Sequence, residues 1–67
     1  MRNNPCKKEL KVARSQHNKL RTMSARLKEM TCEWGGLSGW LETESERLVE
    51  SIDQHIQALD EQIGEWA

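Results

Sequence analysis

Apolar side chains recur at helical spacing along two stretches of this chain, separated by one glycine-rich break. In the first stretch Ala13, Leu20, Leu27 and Trp34 repeat every seven residues, and Gln16, Met23 and Met30 do so three positions later. Leu10 extends the stripe toward the N-terminus. Steps of three and four place side chains on one side of an α-helix, and a seam kept over several heptads is a coiled-coil pattern. Lys8, Lys11, Lys19, Arg26 and Lys28 take outward positions. Asn4 followed by Pro5 suits a helix start, because Asn caps free amides and Pro at the first position sacrifices no hydrogen bond. The first helix is therefore expected over about residues 5–34.

Gly35-Gly36-Leu37-Ser38-Gly39 follows, and the turn is expected at 35–39. Glycine can take the left-handed backbone that ends a helix, and Ser38 can cap the next one. The second helix is expected over about residues 38–66, with Leu41, Leu48, Ile52, Ile56, Leu59, Ile63 and Trp66 on one face and Val49 beside it. Acidic residues, among them Glu42, Glu44, Glu46, Asp53 and Asp60, lie mostly off that stripe.

A short turn between helices of similar length implies antiparallel packing. Centring it on Gly36 pairs residues whose numbers add to 72, which sets Leu20 against Ile52, Ala13 against Leu59 and Met23 near Val49. Two helices alone leave both flanks of their stripes wet, and 67 residues bury little surface. The fold expected is all-α: a single helical-hairpin domain over 1–67, coiled-coil-like, that dimerises into a four-helix bundle. Leu20, Met23, Leu27, Met30, Leu48, Ile52, Ile56, Leu59 and Ile63 are expected to bind the partner as the dimer seam, with Trp34, Gly35 and Gly36 forming the turn.

Composition tempers this picture without changing it. Only 36% of residues are hydrophobic and 31% are charged, a balance compatible with disorder; the sustained periodicity argues for folding instead. Net charge is −1, but residues 1–34 carry nine bases and three acids (+6), and residues 35–67 carry one base and eight acids (−7). Halves of opposite sign attract when folded together, and a basic half is also what a nucleic-acid binder presents.

Cys6 and Cys32, at opposite ends of one helix, would stand about 39 Å apart at ~1.5 Å per residue, too far for a bridge. Reduced thiols and the lack of an apolar leader point to a cytoplasmic protein. No stretch approaches a membrane span. His17 and His55 add to 72 and so share a level, as a polar register layer or as half of a metal site; further ligands are missing, and the polar layer is preferred. Trp34, Trp40 and Trp66 read as plugs at the two ends of the bundle, or as exposed anchors for a partner.

No phosphate loop, nucleophile elbow or metalloprotease helix motif is present, and a hairpin offers no enclosed pocket. The function expected is non-catalytic, with neither cofactor nor metal: an interaction module pairing with itself or with another helical protein.

Two alternatives remain. Trp34-Gly35-Gly36 between matched helices resembles the WXG-type hairpins exported by type VII secretion systems, whose Trp-x-Gly turn joins two antiparallel helices that work as dimers. The spacing Ile56, Asp60, Ile63, Ala67 is similar to that family's export pattern. The resemblance implies a secreted dimeric hairpin with no cleavable leader, although this chain is short for the family and has no Tyr for the tail signal. The other alternative is RNA binding through the basic first helix, with residues such as Lys11, Arg14, Lys19 and Arg26 on phosphates. No aromatic residue lies on that face to stack bases.

Overall fold

The computed structural model describes residues 6–67, and the Asn4-Pro5 start lies outside them. Two helices, α1 (Lys7–Glu33) and α2 (Gly39–Trp66), pack against each other as an all-α hairpin. It is a rod of 58 × 14 × 11 Å, one helix pair wide. Among the described residues α1 ends at Glu33 and α2 runs from Gly39 to Trp66, against the expected 34 and 38–66.

The turn is built from hydrogen bonds that prolong α1. Trp34 N donates to Thr31 O at 3.1 Å and Gly35 N to Cys32 O at 3.1 Å. Leu37 N and Ser38 N then both donate to Trp34 O, at 2.9 and 3.0 Å. Gly36 sits at φ +80°, the left-handed region where a Cβ would be strained. Ser38 is extended, and its Oγ accepts from Leu41 N at 3.2 Å, capping α2 as expected. Ser38→Ala should cost about 1 kcal/mol and lower the thermal midpoint by roughly 5 °C. An unchanged melting curve by circular dichroism would show that the cap contributes nothing.

Contact positions form two unbroken series. On α1 and its end, Leu10, Ala13, His17, Leu20, Ser24, Leu27, Thr31 and Trp34 are buried or half-buried. On α2, Glu42, Ser45, Val49, Ile52, Ile56, Leu59, Ile63 and Trp66 are half-buried. Each series steps by three and four throughout. Half of the expected α1 seam is therefore corrected: Ala13, Leu20, Leu27 and Trp34 face α2, but Gln16, Met23 and Met30 are exposed. Their place is taken by Leu10, His17, Ser24 and Thr31, one position further round. Ser24 and Thr31 are small, and their polar atoms are satisfied: Ser24 Oγ donates to Asp53 Oδ1 at 2.6 Å, and Thr31 Oγ1 to Leu27 O at 2.8 Å.

The register also differs from expectation. Ser24 with Asp53, and His17 with Asp60 (Nε2 to Oδ1, 2.7 Å), are pairs whose numbers add to 77, not 72. Leu20 thus lies level with Ile56 instead of Ile52, Leu27 with Val49, and Ala13 with Ile63 instead of Leu59. The turn explains the shift. Its i to i+4 bond, Ser38 N to Trp34 O, carries the chain about one helical turn past Glu33 before α2 starts. The first turn of α2 returns over that distance.

The shared core is thin. The buried residues described are Leu10, Ala13, Ser24 and Thr31, all on α1, and α2 has none. Among the described residues, neither helix is long and apolar enough to cross a membrane.

Candidate interaction face

The heptad series gives the rod two unlike flanks. One is an open groove lined by Arg21, Ser24 and Lys28 of α1 and by Glu46, Asp53 and Asp60 of α2. Lys28 Nζ approaches Asp53 Oδ2 at 3.7 Å, so Asp53 accepts a hydrogen bond from Ser24 and forms a looser ion pair with Lys28. Lys28 and Asp53 remain substantially exposed, and such a pair contributes less than about 1 kcal/mol. This flank is basic along one helix and acidic along the other, and it is well solvated.

The opposite flank carries the side chains that the seam leaves out. Gln16, Met23 and Met30 occupy one heptad position of α1, and Leu41, Leu48, His55 and Gln62 the corresponding position of α2. In the observed register Met30 is level with Leu48, and Met23 with His55. Met23, Met30 and Leu48 are each about half exposed, at 51%, 52% and 50%. Leu41 is half-buried. A strip of methionine and leucine therefore runs down one side of the turn half of the rod, and gives way to Gln16, His55 and Gln62 toward the open end.

The expected contact residues separate accordingly. Leu20, Leu27, Ile52, Ile56, Leu59 and Ile63 line the seam between the hairpin's own helices, and Met23, Met30 and Leu48 stand on the free flank. The second group was legible as two seven-residue steps, Met23 to Met30 and Leu41 to Leu48.

Other expected sites are redistributed. The register does not put His17 and His55 at one level: His17 is half-buried against Asp60, and His55 is exposed about five residues nearer the turn. Trp34 and Trp66 are half-buried at opposite ends, but Trp40 is no plug. Trp40 is 71% exposed and Leu37 77% exposed, because the start of α2 projects beyond the end of α1. Cys6 and Cys32 lie at opposite ends of the rod and are not bridged. Among the described residues, no group of three or more His, Cys, Asp or Glu could hold a metal ion.

Comparison of the chain with family models, with curated proteins and with solved structures finds no match.

Proposed function

We propose that this chain is a non-catalytic protein–protein interaction module of the cytoplasm, which docks its apolar flank on a second helical surface and completes a four-helix bundle. The observation that carries this reading is the joint exposure of Met23, Met30 and Leu48 along one strip of a hairpin whose α2 has no buried residue among those described. Removing apolar surface from water contributes about 25 cal/mol per Å². A domain this small has little other surface to bury, and oligomerisation is a usual remedy. Helix–helix packing of such strips is the geometry of a bundle.

The alternatives draw less support from the geometry. In an RNA-binding role Arg21 and Lys28 would have to serve phosphates from a groove they share with Glu46, Asp53 and Asp60. The secreted-hairpin reading is supported by the turn, where Trp34 is half-buried and Gly36 takes a positive φ; it too implies pairing.

The test is thermal unfolding at protein concentrations differing by a hundredfold. Association that stabilises the fold makes the midpoint depend on concentration, and a rise of several degrees at the higher concentration is expected. A fully helical chain whose midpoint does not move would remove the proposal.

A further inference from the structure

Building on that docking reading, we infer that the partner is a second copy of this chain, related by a two-fold axis parallel to the rod, so that both turns lie at the same end and α1 of each copy packs on α2 of the other. Two independent features of the hairpin point to this arrangement.

The first is the gradient along the flank. Met30, Leu41 and Leu48 occupy its turn half, Met23 and His55 share its middle level, and Gln16 and Gln62 lie in its open half. An axis parallel to the rod lays like on like: methionine and leucine meet methionine and leucine, and the polar ends meet each other. Met30 and Leu48 then join their counterparts in one four-residue layer. An axis across the rod at full overlap would lay the apolar half of each copy on the polar half of the other, and would leave large side chains against glutamine.

The second feature is charge. Helix α1 carries eight bases and three acids (+5), and α2 carries one base and eight acids (−7). A parallel axis sets each basic helix beside an acidic one. The crosswise axis would set α1 on α1 and α2 on α2, bringing together helices of like net charge. The residues bordering the strip follow the same division, with Lys19 and Arg26 on α1 and Glu44 and Glu65 on α2. The parallel arrangement brings one like pair together, Glu33 and Glu44, and Glu44 already has Arg47 Nη1 at 3.3 Å.

Paired spin labels test this. Gln16→Cys and Leu37→Cys, each in the full chain carrying Cys6→Ser and Cys32→Ser, place one label per copy in the open half of the flank or at the turn. About 30 Å of rod separates the two positions at ~1.5 Å per residue. Under the parallel axis both label-to-label distances fall below about 25 Å, since each label faces its own counterpart across one bundle. Under a crosswise axis at least one of them must exceed about 30 Å wherever the axis is centred. That result would overturn the arrangement while leaving self-association intact. Absence of coupling between copies with a single-chain mass would overturn the second copy, and if that lone chain is also fully helical it would overturn the docking reading on which the arrangement rests.

Discussion

Ile52→Asp is expected to abolish the folded hairpin. Ile52 is half-buried at the centre of the α2 seam, level with Ser24, whose hydroxyl is already committed to Asp53. A carboxylate at position 52 would replace an apolar side chain in the half-buried seam, and Lys28, close to this level, is already engaged by Asp53. An unpaired charge placed there costs about 3–5 kcal/mol, as much as the whole stability a core of this size usually supplies. The far-ultraviolet circular dichroism of the variant should be that of an unfolded chain at micromolar concentration. Helicity equal to that of the unmodified chain would show that the two series do not form the seam.

Met30→Glu combined with Leu48→Glu is expected to act on association and to leave the seam untouched. Both side chains are half exposed in the lone hairpin, so glutamate there meets water and loses little. In the docked state each pair would enter a four-residue layer. Covering the remaining half of each side chain is worth about 1 kcal/mol, hence about 4 kcal/mol over two copies, which approaches a thousandfold in Kd. Four carboxylates in one layer add repulsion. Sedimentation equilibrium should therefore report at least about a hundredfold weaker association for this variant. Arg21→Gln with Glu46→Gln, which alters the charged groove instead, should leave the association constant within about threefold, because exposed surface charges contribute little. Equal weakening by both pairs would mean that the apolar flank is not the docking surface.

Much of this organisation is legible in the amino-acid order, and the places where it is not have physical causes. The two helices follow from uninterrupted three-and-four spacing, and the turn from three glycines within five residues with Ser38 placed to cap. Which residues of α1 face α2 is less visible. Ala13, Leu20, Leu27 and Trp34 can be completed by the positions three ahead or four ahead, and hydrophobicity favours the former because it holds two methionines. The structure takes the latter, where His17, Ser24 and Thr31 are smaller or hydrogen-bonded. Leu10 is the residue that marks the choice, lying seven before His17 and six before Gln16.

The register escapes sequence reasoning for a different reason. Glycine content locates a turn but does not say how far the chain climbs before it reverses. Here the bond from Ser38 N to Trp34 O adds a helical step that no composition rule announces. The free flank depends on both decisions. Once the polar set is turned inward, the methionines are necessarily left outside; once the register moves by about one helical turn, Met30 comes level with Leu48. A seam of mixed polar and apolar layers thus coexists with an exposed strip that is more apolar than part of the core it borders.

The measurement that bears most directly on this account is the solution mass of the unmodified chain, by light scattering at two concentrations well apart. A mass of two chains, falling toward one with loss of helicity on dilution, is the predicted result. A fully helical single chain at both concentrations, with Met23, Met30 and Leu48 left in water, would contradict it.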